Sequence, residues 1–158
     1  WIYHTQLLEM ERIAKALPDL NIILNHIGGP IHIGEYEGKH AQTHREWRPA
    51  MMRLSRLPNI NVKLSGLGMA LNGAKFHLND QPPSSIELSD TWKPWIYETL
   101  NMFGVEKCMF ESNFPVDKGS CSYGSLWNAF KIIANEMSED EKNKLFYENA
   151  AKTYKIKL

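Results

Sequence analysis

Apolar residues recur at helical spacing at Leu7, Leu8, Met10, Ile13, Ala14 and Leu17, and the run stops before Pro18. The period then changes. Residues Asn21-Ile22-Ile23-Leu24-Asn25-His26 form a short apolar run closed by Gly28-Gly29-Pro30, which predicts a strand buried on both faces, as in a parallel sheet. After a Gly-rich stretch over 31–40, Trp47, Met51, Leu54 and Leu57 mark a helix over about 41–57 that ends at Pro58. Asn61-Val62-Lys63-Leu64-Ser65-Gly66 predicts a second strand, and a long polar loop follows through Asn72, Asn79, Pro82 and Pro83. Helix resumes near Ser89 with Trp92, Trp95, Ile96 and Leu100, and Gly104 supplies a left-handed cap. A third strand spans 107–113, broken by Pro115, and the loop 116–123 leads to a helix carrying Leu126, Trp127, Phe130 and Ile133. Ser138 and Glu141 form a capping-box signature for a last helix that runs to about Tyr154.

Strands separated by helices of crossover length predict an α/β fold with a parallel sheet. In such folds the working residues sit at the C-terminal ends of strands, which points to His26, Ser65, Asn113 and the loops behind them. Three strands cannot close a barrel, which needs about eight, and the first helix has no strand before it. The expected architecture is therefore the C-terminal half of a (β/α)8 barrel occupying 1–158; the alternative is a three-stranded open sheet standing alone. The chain opens on Trp1 rather than Met in a stretch that already reads as structured, which suits part of a longer polypeptide.

Composition narrows the function classes. With 18 Lys+Arg against 18 Asp+Glu, no nucleic-acid or membrane-surface partner is expected. No apolar run approaches a membrane span, and no charged segment leads into an apolar one at the start, so a cytoplasmic protein is expected. Cys108 and Cys121 lack CxxC spacing and fit a reducing compartment; Cys121 has no sequence-local base to make it a nucleophile.

Strand alternation places Lys63 with Ser65 on one face, Met109, Glu111 and Asn113 on one face, and His26 with Ile22 and Leu24 while Asn25 points away. An acid at position 111 inside a barrel needs a partner, and Lys63 on the adjacent strand supplies one. The pair is either a site with a perturbed carboxylate or a structural ion pair. His4 precedes the first helix, as a loop residue at a strand end or a surface neighbour of the helix start. His77 lies in the long loop, as part of a lid or simply solvated. His40 and His44 share a helix face, but Ala41 stands where H-E-x-x-H needs Glu. Asp117-Lys118-Gly119-Ser120 offers an acid and a base after the third strand without a phosphate-loop motif.

Asn25-His26-Ile27-Gly28-Gly29-Pro30, Asn61-Val62-Lys63-Leu64-Ser65-Gly66, Met109-Phe110-Glu111-Ser112-Asn113-Phe114-Pro115-Val116 and Glu148-Asn149-Ala150-Ala151-Lys152-Thr153-Tyr154 together resemble the C-terminal half of the amidohydrolase-related family. Within it, they resemble the TIM-barrel metal-dependent hydrolases and lactonases. The resemblance implies that His26, Ser65 and Asn113 sit at the ends of the sixth, seventh and eighth strands, and that His4 follows the fifth. At the eighth strand the family carries Asp in a Gly-Ser-Asp-[Trp/Phe]-Pro pattern, as general base or metal ligand. Here the pattern is Glu-Ser-Asn-Phe-Pro, and an amide neither takes a proton at neutral pH nor binds a metal well.

The implied activity is hydrolysis of a small ester, lactone or related carbonyl compound. His26 would polarise the carbonyl or orient water, with Glu111 or Asp117 as base; Lys63, Ser65, His77, Lys118 and His4 would bind an anionic substrate. The family's His-x-His metal pair has no counterpart in this chain. The resemblance implies a divalent metal such as zinc as an option for the whole protein, and Asn113 in place of the family's Asp favours metal-free chemistry. Metal-dependent decarboxylation and a non-catalytic barrel remnant are the competing expectations, and exposed sheet edges would favour a homodimer.

Overall fold

A computed structural model describes residues 1–157. The elements alternate as the sequence predicts: α1 (Leu7–Ala16), β1 (Ile22–Leu24), α2 (His40–Ser55), β2 (Ile60–Leu64), α3 (Ser85–Phe103), β3 (Cys108–Phe110), α4 (Tyr123–Ile133), α5 (Glu139–Asn143) and α6 (Asn149–Tyr154). The strands form one parallel sheet in the order β1-β2-β3, with Leu24 opposite Val62 and Val62 opposite Cys108. Among the described residues no helix is long and apolar enough to cross a membrane.

The helices cover one face of the sheet. Along β2, Ile60, Val62 and Leu64 are buried while Asn61 and Lys63 are half-buried. The buried set joins Leu24, Cys108 and Phe110 against Trp47 and Leu54 of α2, Trp92 and Ile96 of α3 and Phe130 of α4. Phe110 stacks on Phe130 with ring centroids 4.5 Å apart. A doubly wound sheet would carry helices on both faces. Here the second face keeps polar residues, as the inside of a barrel does near its mouth. The expectation that β1 is buried on both faces is corrected accordingly: Ile22 and Ile23 are only half-buried and Leu24 alone is fully enclosed.

Two boundaries differ from expectation for identifiable reasons. Helix α3 begins at Ser85 rather than near Ser89, because Ser84 and Glu87 form a capping box: the Glu87 amide donates to Ser84 Oγ at 3.2 Å and the Ser84 amide to Glu87 Oε2 at 2.8 Å. Gly104 closes that helix at φ 75° and ψ 158°, a positive-φ but extended geometry rather than a left-handed helical one. The capping box of Ser138 and Glu141 is present. The last helix is interrupted, however, by a π-helical turn over Lys144–Glu148. That wide turn precedes Asn149, whose buried amide donates at 2.7 Å to both Val105 O and Cys108 O and so ties α6 to the start of β3.

Candidate active site

Beyond Leu24 the chain leaves the sheet in an unusual turn. His26, Ile27, Gly28 and Gly29 have φ of 55°, 46°, 77° and 59°, four successive left-handed residues. For His26 and Ile27 this costs roughly 1–2 kcal/mol each, so the surroundings must hold them there. Trp47 does much of this, since its indole N–H donates to Ile27 O at 2.6 Å. Gly29 has no alternative, because a side chain there would run into the Ile2 carbonyl. The turn also breaks strand alternation. Continued along its strand, His26 would join Ile22 and Leu24 on the helix side; instead its ring lies on the polar face.

There His26 meets Ser65, one residue past β2, and Glu111, one residue past β3, with Lys63 of β2 behind them. Ser65 Oγ donates its single proton to Glu111 Oε2 at 2.6 Å, so towards His26 Nδ1, 3.0 Å away, it can only accept. The network therefore assigns the proton to Nδ1 and leaves the Nε2 lone pair outside it. Lys63 Nζ donates to Glu111 Oε1 at 2.7 Å, completing a line from imidazole through hydroxyl and carboxylate to ammonium. The expected Lys63–Glu111 pairing is thus present, and both carboxylate oxygens are engaged. Burial lowers the His26 pKa below its ordinary value; Glu111 opposes and Lys63 reinforces that shift. Burial also pulls on Lys63, but Glu111 and Tyr154 outweigh it and leave the ammonium pKa raised. Gly66 packs beneath the imidazole so closely that an added methyl would stand 2.5 Å from its Cγ. Trp1, which sequence reasoning passed over, sets its ring at 5.5 Å from that of His26.

Asn113 does not stay with Glu111. It too is left-handed, at φ 52°, and its amide turns to donate to Asp117 Oδ1 at 2.9 Å. Asp117 is 1% exposed. Its Oδ2 is sealed beside Gly68, whose amide lowers the pKa somewhat without making a hydrogen bond of normal geometry. Burial dominates, and with the Glu111 charge it pushes the carboxyl up to about 6. A folded-state pKa above the unfolded one means that the stabilisation is present below about pH 4 and is lost as pH rises through 6. Asp117→Asn should therefore raise stability at pH 7.5 by up to about 3 kcal/mol and change it little at pH 4. Melting curves across that range check this, and a pH-independent difference would refute it.

The remaining candidates lie elsewhere. His4 is buried behind the turn: its Nδ1 accepts from the Ile31 amide at 3.2 Å and its Nε2 stands 3.5 Å from Glu46. Burial lowers its pKa against the pull of Glu46. His77 and Lys118 are exposed on their loops, apart from the hydrogen-bonded cluster. His40 stacks on His32 while His44 bonds Glu98 at 2.8 Å, so the two do not converge on a common point. The Cys121 thiol is pushed up to about 11 by burial, which leaves it protonated and inert. Among the described residues no group of three or more His, Cys, Asp or Glu side chains could hold a metal ion. The donor set is sparse: Glu111 accepts from Lys63 and Ser65, the Asn113 amide donates to Asp117, and His26 is the cluster's one imidazole.

Comparison with known proteins places this geometry. The amidohydrolase family model matches residues 2–156. The chain is 38% identical over 159 residues to the uncharacterized protein y4mH of Sinorhizobium fredii, covering 98% of this chain and 46% of that protein. It is 24% identical over 160 residues to the L-rhamnono-gamma-lactonase of Scheffersomyces stipitis, covering 96% and 45% respectively. A crystal structure of an amidohydrolase from Burkholderia multivorans with bound zinc superposes with a TM-score of 0.82 at 22% identity, over 99% of this chain and 51% of that one. A second crystal form with bound HEPES gives 0.83 at 23% identity, over 99% and 52%. The chain thus spans about half the length of the relatives it matches, and its sheet is a partial TIM barrel. With strand-end motifs in the family's order and a family match running nearly end to end, this chain belongs to the amidohydrolase family.

Proposed function

We propose that this chain carries part of a hydrolytic site for a small lactone or ester, in which His26 is the general base. The observation that carries the reading is the 2.6 Å bond from Ser65 to Glu111, because it fixes the imidazole with its proton on Nδ1 and its lone pair on Nε2. A water held at Nε2 would give up a proton to the ring as it attacks the substrate carbonyl. The imidazolium so formed is stabilised through Ser65 by the Glu111 carboxylate, which the bond from Lys63 orients. On collapse of the tetrahedral intermediate the ring returns its proton to the departing alkoxide, which in a lactone remains attached to the acid. A His26 pKa below the ordinary value keeps the base neutral and competent at pH 7. The residues present do not fit a metal by themselves, and no step here runs through one. The lactone class is supported by the distant likeness to L-rhamnono-gamma-lactonase.

The test is proton release from a panel of sugar-derived lactones and small esters by the full polypeptide containing this chain. The rate should rise with pH through one ionisation below 6.5 and then level. Ser65→Ala should cost about tenfold or more, as expected when an orienting partner of the base is removed. Silence on every lactone and ester would overturn the substrate class. An undiminished rate in Ser65→Ala would overturn the relay.

A further inference from the structure

Sequence reasoning attached no role to His32, yet it is 3% exposed and joins three parts of the molecule. Its ring is clamped by His40 at 4.3 Å and Trp95 at 5.6 Å, so α2 and α3 fix its position. Its main-chain amide donates to Leu71 O at 2.7 Å, and its Nδ1 bonds Asn72 O at 3.0 Å. A carbonyl can only accept, so the proton is on Nδ1. Nε2 is left as a buried lone pair without a partner, beside a cavity of about 20 Å³ lined also by Trp92, Leu67 and Pro30. The loop held in this way leads directly to the site. Asn72 Nδ2 donates to Gly66 O, Gly66 supports the His26 ring, and two residues on Gly68 lies 3.1 Å from Asp117 Oδ2, measured from where its side chain would begin.

We propose that His32 is a positioning residue: through Leu71 and Asn72 it pins the 66–73 segment so that Gly66 backs His26 and Gly68 covers Asp117. This rests on the assignment of His26 and Asp117 to the site, but its test is read without turnover. Hydrogen exchange resolved by residue, and carboxyl titration of Asp117 by carbon NMR, are measured on the parent chain and on His32→Ala, His32→Asn and Asn72→Ala. Asparagine places an N–H where Nδ1 stood, so His32→Asn should retain most of the parent behaviour.

In His32→Ala and Asn72→Ala, amides of 66–73 should exchange about five- to tenfold faster, the loss expected for one hydrogen bond. The β2 amides should not change, and the Asp117 titration should move from about 6 towards 3.8 as water reaches the carboxyl. Unchanged loop exchange and an unchanged Asp117 titration in Asn72→Ala would overturn the proposal, even if His32→Ala fails to fold. A His32→Asn variant as loose as His32→Ala would also overturn it, since the ring would then act by bulk alone. Failure of lactone hydrolysis with these shifts intact would fall on the proposed reaction instead.

Discussion

Replacing His26 with Gln is expected to lower the rate of lactone or ester hydrolysis by about 10²–10⁴-fold, the usual contribution of a positioned general base. The chemistry, rather than the fold, should fail. Position 26 is already left-handed, so Gln inherits the same backbone requirement, and Ser65 keeps its 2.6 Å bond to Glu111 without the ring. The melting temperature should move by only a few degrees, which separates this variant from a structural one. Added imidazole is expected to restore a measurable part of the rate to His26→Ala, where the side chain's space is vacated. A His26→Gln chain that retains more than a tenth of the parent rate would remove His26 from the role of base.

Trp47→Ala should produce the largest loss of stability, about 3–5 kcal/mol, as for other aromatic truncations in a closed core. Trp47 is fully buried, meets Trp95 edge to face at 4.9 Å, and holds the Ile27 carbonyl. Trp47→Phe divides these contributions. It keeps most of the packing and strands the Ile27 carbonyl, which should cost about 1–3 kcal/mol. Because that bond stabilises the left-handed turn carrying His26, Trp47→Phe should also slow turnover more than its stability loss explains. Urea denaturation with an unchanged slope, combined with rates at saturating substrate, would measure both. A Trp47→Phe chain as stable and active as the parent would show that the turn is held by other contacts.

Much of this was legible in the order of residues, for reasons that can be located. The Lys63–Glu111 pair follows from a period of two on adjacent parallel strands, and the structure closes it at 2.7 Å. The start of the last helix follows from Ser138 and Glu141, whose signal is complete within four residues. What depends on distant partners was not legible. Nothing within a few residues of His26 announces a left-handed histidine; the indole that supports the turn lies 20 positions beyond Ile27. Strand alternation therefore misplaces His26 and Asn113, where the backbone turns left-handed past the strand ends. Asp117 was visible as an acid after a strand end, but its burial under Gly68 belongs to another loop. His32 gave one faint sign, a histidine between Ile31 and Ile33 in an otherwise polar, Gly-rich stretch.

The division of the sheet into a helix-facing side and a polar side has an evolutionary consequence. Ile60, Val62 and Leu64 answer to packing, whereas Lys63 and, just past the strand's end, Ser65 face the polar side and answer to chemistry. Mutations on the two sides are therefore selected almost independently, because side chains that point apart share few contacts and their effects add. A lineage can change a residue at a strand tip without repacking its interior. Conversely, it can drift through alternative core fillings while the polar line from His26 to Lys63 stays in register. A family built this way would diversify its reactions faster than its architecture.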